Sequence, residues 1–116
     1  MDMATSTFCN IHREGLSQDA ERASHIAEIL KALSHPIRLR IISLLDAGPL
    51  HVNAMAEILQ CQQAVISQQL RILRMRQLVR ATRANGFANY ELAEPRLREL
   101  LRCMEGCTAP TTGQAT

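Results

Sequence analysis

Four cysteines, Cys9, Cys61, Cys103 and Cys107, are the side chains of this sequence best suited to chemistry beyond packing. Cys103 and Cys107 stand four positions apart near the end of an amphipathic run. On a helix that spacing sets both on one face, about 6 Å apart along the axis. Two thiolates so placed can clamp one soft ion, or be joined by oxidation with some fraying of the helix; the competing reading is plain burial. Cys9 lies in the run Cys9-Asn10-Ile11-His12. Three sulfurs, from Cys9, Cys103 and Cys107, suit trigonal As(III) or Sb(III), and His12 would complete a tetrahedral set for Zn(II) or Cd(II). His25, His35 and His51 are scattered and read as surface or capping histidines. A small thiol enzyme fits poorly, because no His or acid is spaced to activate a cysteine and no cofactor loop is visible. The chain reads as a binding protein, not an enzyme.

A second constellation is electrostatic. From Gln62 to Tyr90 there is no Asp or Glu, yet there are five arginines: Arg71, Arg74, Arg76, Arg80 and Arg83. The net charge is only +2, but a basic segment between mildly acidic flanks is the footprint of a phosphate-binding surface. A solvated face gives the same pattern, so charge alone does not decide. On a helix opening near Gln62, residues Gln63, Ser67, Gln68 and Arg71 share the outer face. Glutamine matches the N6/N7 edge of adenine, and arginine matches guanine or phosphate. Arg80, Arg83 and Asn85 are candidates for phosphate or minor-groove contact.

The elements that must hold these residues follow from periodicity. Length and composition (116 residues, 47% hydrophobic, 3% aromatic) fit one domain with a modest aliphatic core. Residues 1–16 show no periodicity and read as a flexible arm. Residues 17–107 read as the folded domain, and 108–116 as a disordered tail. Ser17 can cap a first helix running to about Leu33, with Ile26, Ile29, Leu30 and Leu33 as its apolar stripe. Pro36 suits the first position of a second helix, apolar nearly all round and stopped by Ala47-Gly48-Pro49. A third helix, about Val52 to Leu59, offers Met55, Ile58 and Leu59 to the core. A fourth, about Gln62 to Met75, buries Val65, Ile66, Leu70 and Leu73. Two short helices joined around Gln60-Cys61, the second polar and basic outside, form a helix-turn-helix pattern. The period then switches to two, and Leu78–Arg83 and Phe87–Leu92 flank Asn85-Gly86 as a hairpin. Pro95 opens a last helix to about Cys107. No apolar run reaches the roughly 18 residues of a membrane span, and Met1–Leu16 has no signal-peptide core. A cytoplasmic, reducing setting is expected, which disfavours a structural disulfide framework.

In this order the residues carry a resemblance. The run Leu33-Ser34-His35-Pro36-Ile37-Arg38-Leu39-Arg40-Ile41-Ile42 resembles the opening of the second helix in the ArsR/SmtB family of metal-responsive repressors. Ala56-Glu57-Ile58-Leu59 and Val65-Ile66-Ser67-Gln68-Gln69-Leu70-Arg71-Ile72-Leu73 look like that family's helix-turn-helix. Leu78-Val79, Arg83, Gly86, Tyr90, Leu92 and Pro95 follow its wing and the entry to its last helix. The resemblance implies a mainly α winged helix-turn-helix fold with a small β-hairpin. It also implies a homodimer built on the first and last helices, and an inverted-repeat operator in double-stranded DNA. The sequence departs from the family in four places. Gln62 stands where many relatives have a capping Ser. His51 and Asn53 stand where many metal sensors have cysteines, and the last helix lacks the family's Asp/His/Glu zinc pattern. Cys61 takes a usually aliphatic slot and reads as packing.

The expected function is a DNA-binding repressor released from its operator when Cys9, Cys103 and Cys107 bind As(III), Cd(II) or Zn(II), with the arm swinging over the last helix. The alternative keeps the repressor and makes the switch oxidation or polysulfide formation at the same thiols. Some ArsR-like relatives pair a thiol on the second helix with one on the last, but here the second helix has none. A non-DNA-binding interaction module is the remaining alternative.

Overall fold

The computed structural model describes residues 15–107. They fall into two units, 15–31 and 32–107, with the boundary inside the first helix. In the first unit a single 3-10 turn, Leu16–Gln18, leads into α1, Ala20–Leu33. Asp19 caps α1: its Oδ1 accepts the backbone N–H of Arg22 at 3.0 Å, and its carbonyl accepts that of Ala23. The sequence points to Ser17 for this role, but Ser17 is taken up inside the 3-10 turn. Asp19 also gains from the positive end of the helix and from the Arg22 guanidinium 3.5 Å away. Ile26 and Ile29 are half-buried, whereas Leu30, expected in the stripe, is 50% exposed.

The second unit begins with the buried end of α1, Ala32 and Leu33. His35 is extended, as a residue before proline should be, and its Nδ1 accepts the Ile37 N–H at 3.2 Å, capping α2, Pro36–Leu45. A two-residue strand β1, Leu50–His51, precedes α3, Val52–Leu59, where the His51 Nδ1 accepts the Ala54 N–H in the same way. The turn to α4, Gln63–Met75, is built on Gln60 in the left-handed region (φ 57). The Cys61 N–H reaches back to the Ala56 carbonyl and Gln60 to Glu57, the paired bonds of a Schellman cap. α4 ends identically: Gln77 is left-handed (φ 62), Leu78 bonds to Leu73, and Gln77 to Arg74.

Strands β2, Val79–Ala84, and β3, Phe87–Leu92, pair antiparallel with Ala84 opposite Phe87. The two residues between them, Asn85 (φ 55) and Gly86 (φ 81), have the positive φ angles a type I′ turn requires. β1 adds to the other edge of β3 through Leu50–Tyr90 and His51–Asn89, giving the order β1-β3-β2. Helix α5, Arg96–Glu105, closes the unit.

Ile41, Ile42, Leu45, Met55, Ile66, Leu70, Leu73, Leu78 and Leu97 are fully buried, and no polar side chain among the described residues is. Burial of such side chains stabilises by roughly 1.5–3 kcal/mol each. Ile58 is the exception to the expected core, at 54% exposed. A two-turn helix has one inward stripe, which Met55, Ala56 and Leu59 fill, and Ile58 falls outside it. No helix among the described residues is long and apolar enough to cross a membrane.

Candidate nucleic-acid interface

α4 separates its two faces cleanly. Ile66, Leu70 and Leu73 are buried and Val65 half-buried, while Gln63, Ser67, Gln68, Arg71 and Arg74 are exposed. Each of the four outer residues singled out from the sequence is therefore on the free side of this helix. Among the described residues neither Arg71 nor Arg74 has an acidic partner. Gln62, at the N-cap, makes no side-chain cap bond, and its carbonyl accepts the Val65 and Ile66 N–H groups, which leaves the Gln63 and Ala64 N–H groups without a side-chain cap. A helix N-terminus of this kind favours anionic oxygens.

The hairpin positions its three predicted residues differently. Arg80 faces its register partner Glu91, and the Nε–Oε2 distance is 2.7 Å. Arg83 folds back on the turn, its Nη1 donating to the Gly86 carbonyl at 3.2 Å. Asn85 and Gly86 form the tip, both exposed. Phe87, next to the turn, is 59% exposed, with its ring 5.7 Å from that of His51, so the turn end of β3 leans on the start of α3.

Two residues that sequence reasoning passed over hold α4 in place. Half-buried Arg38 donates from Nε to the Ala32 carbonyl at the end of α1, and from Nη1 to Gln69 Oε1 of α4 at 2.9 Å. Arg38 lies within a recognisable run, but its partner is 31 positions away, which no local pattern shows.

The thiols lie elsewhere. Cys61 is half-buried in the turn before α4, with Sγ 3.6 Å from the Leu59 carbonyl. Cys103 is exposed in the last turn of α5. That helix ends at Glu105, short of the expected Cys107, with Gly106 as its C-cap still in the right-handed region (φ −81, ψ −11). The chain nevertheless tightens into a final turn: the Cys107 N–H bonds to Met104 at 2.9 Å. Cys107 Sγ then points back toward the Cys103 carbonyl, 3.9 Å away. Both thiols are free and exposed at one end of α5, two soft donors for a thiophilic ion. Among the described residues no three His, Cys, Asp or Glu side chains come together as a metal site. Cys9 and His12 lie outside the described residues. His35 and His51 are helix caps, as the sequence suggests. The end of α5 is also strapped to α2 by Ser43 Oγ, which donates to Glu105 Oε2 at 3.0 Å.

Comparison with known proteins places this arrangement. Residues 35–81 match the family described as "Bacterial regulatory protein, arsR family", a span that takes in α2, β1, α3 and α4. The HTH-type transcriptional regulator NmtR of Mycobacterium tuberculosis is 37% identical over 90 residues, covering 78% of this chain and 75% of that protein. The crystal structure of the transcriptional repressor BigR from Xylella fastidiosa superposes with a TM-score of 0.72 at 30% identity, covering 78% of this chain and 94% of that one. The homodimeric winged helix-turn-helix DNA-binding domain of Mb0332 from Mycobacterium bovis superposes with a TM-score of 0.68 at 27% identity, covering 77% and 82%.

Proposed function

The chain belongs to the arsR family of bacterial transcription regulators, and from that premise we propose that it is a homodimeric repressor whose grip on an inverted-repeat operator is released through Cys103 and Cys107. The observation that carries the DNA half is the outer strip of α4. It is exposed, free of acids, and ends in two arginines without an acidic partner among the described residues. Gln63, Ser67, Gln68 and Arg71, with Gln62 at the helix start, face base edges and nearby phosphates. Arg80, Arg83 and Asn85 track the flanking backbone. The homodimeric Mb0332 domain supports a two-fold arrangement that presents two such helices to one duplex.

The release half rests on the thiol pair. Cys103 and Cys107 supply two sulfurs for As(III), Cd(II) or Zn(II), and Cys9, with His12 as a further donor, completes the set. Ligation would draw the end of α5 away from its α2 strap. A second reading has its own support, since two exposed thiols with no third ligand among the described residues also suit an oxidant. Two-electron oxidation would join the two sulfurs and release two protons.

Release of the purified protein from a duplex enriched out of random sequence tests both halves. Cys103→Ser or Cys107→Ser should keep DNA affinity and abolish release, while Cys61→Ser should keep both. Release by As(III) or Cd(II) supports ligation, and release only by a mild oxidant or polysulfide supports the thiol switch. Release that survives both serine substitutions removes this pair as the sensor.

A further inference from the structure

We propose that Arg38 and Gln69 form a positioning pair that sets how α4 is turned toward DNA, although neither lies on the DNA face. This rests on the reading of α4 as the recognition helix.

Arg38 does two jobs with one rigid group. The last carbonyls of a helix have no partner inside it, and a cation is favoured there. Arg38 Nε meets that need at the Ala32 carbonyl of α1. The same planar guanidinium then donates from Nη1 to Gln69 Oε1 at 2.9 Å. A guanidinium fixes its donors in a fork, so the direction to one acceptor constrains the other. Gln69 is half-buried, and its neighbour Gln68 is exposed. The fork therefore grips α4 along the flank of its buried side, next to a residue that faces outward. The core contacts of Ile66, Leu70 and Leu73 are apolar; they set which face of α4 is inward, but they include no directional bond. The half-buried cation supplies one, and it is costly to leave unmade. Sliding or rolling α4 would break it. The roll of α4 decides which of Gln63, Ser67, Gln68 and Arg71 meet base edges, so specific recognition depends on this pair while phosphate attraction does not.

The test compares wild type, Arg38→Met, Gln69→Met and the double variant on two probes: a duplex enriched by the wild-type protein from random sequence, and an unselected duplex. Each single variant should weaken binding to the enriched duplex about tenfold, from loss of the charge-assisted bond to α4, Arg38→Met losing the Ala32 bond as well. The double variant should be no weaker than the worse single one, because both remove the same bond. Affinity for the unselected duplex and the salt slope should stay unchanged. Gln69→Met leaves Arg38 on the Ala32 carbonyl, so it isolates the α4 bond if Arg38→Met folds poorly. Rescue gives a further readout: Gln69→Glu should keep specific binding through the same guanidinium. The proposal fails if Gln69→Met binds the enriched duplex like wild type, if the losses add, or if the salt slope falls. Failure of the wild-type protein to enrich any sequence overturns the recognition-helix reading itself, and this pair's role with it.

Discussion

Single side chains set the limits of several elements here, and some do so at a cost. Gln60 and Gln77 occupy left-handed backbone at φ 57 and 62, a region that costs an L-residue roughly 1–2 kcal/mol and a glycine almost nothing. Both sit at Schellman turns that bracket α4. Gln77→Gly should therefore raise stability by up to about 1 kcal/mol, read as a higher Tm with unchanged DNA affinity. The N-cap of α4 offers a second gain. Gln62 makes no side-chain cap bond, and a serine there would accept an open N–H from the first turn. Gln62→Ser should stabilise by about 1 kcal/mol, visible as a rise of a few degrees in thermal denaturation. A flat Tm would mean that another group already satisfies those donors. His51 makes the opposite case, because its ring caps α3 and touches Phe87. His51→Ala should cost about 1 kcal/mol.

At the scale of elements, the hairpin and α4 hold basic residues in different states of readiness. Arg71 and Arg74 stand free of acids among the described residues, while Arg80 is paired with Glu91 across the strands. With Arg80 57% exposed, that pair contributes little to stability. Glu91→Gln should leave the Tm within about a degree or two, a change of under roughly 0.5 kcal/mol. It should also tighten DNA binding, since it frees a cation and removes an anion beside the duplex. Weaker binding would show that the Arg80–Glu91 bridge shapes the hairpin for DNA instead of restraining Arg80. If Arg71 and Arg83 contact phosphate or bases as proposed, Arg71→Ala and Arg83→Ala should each weaken binding and lower the salt slope by about one per protomer. Unchanged affinity in both would move the DNA surface off this face.

For the whole molecule, the proposed two-fold assembly would make affinity steep in salt. If a dimer neutralises about six phosphates, binding should fall on the order of a thousandfold between roughly 50 and 200 mM salt. Leu30 is 50% exposed on α1, an apolar side chain that a dimer interface would cover. Leu30→Asp should shift sedimentation from dimer toward monomer and weaken DNA binding in parallel. A variant that stays dimeric would place the interface away from this position.

Much of this protein was decided by local residues alone. Pro36 after His35, the bounds of α3 at Val52 and Leu59, and the Asn85-Gly86 turn were all legible. Each is a choice that neighbouring backbone makes for itself, by a fixed φ, a cap or a short apolar period. The outer strip of α4 was legible for the same reason, because one helical period places it. What stayed hidden depends on partners distant in the chain. β1 is two residues long and exists only because β3 has an edge beside it. Ile58 looks like core until Met55, Ala56 and Leu59 are seen to fill the inward stripe of α3. Cys107 falls outside the helix because its last bonds tighten to i→i−3, Gly106 to Cys103 and Cys107 to Met104, although that final turn keeps its sulfur over Cys103. Arg38 and Gln69 read as unremarkable polar residues on separate helices, and only the packing of α2 against α4 brings donor and acceptor to 2.9 Å. Sequence sets what each segment can be; the tertiary structure decides which of its polar groups finds a partner, because a hydrogen bond needs both ends in place.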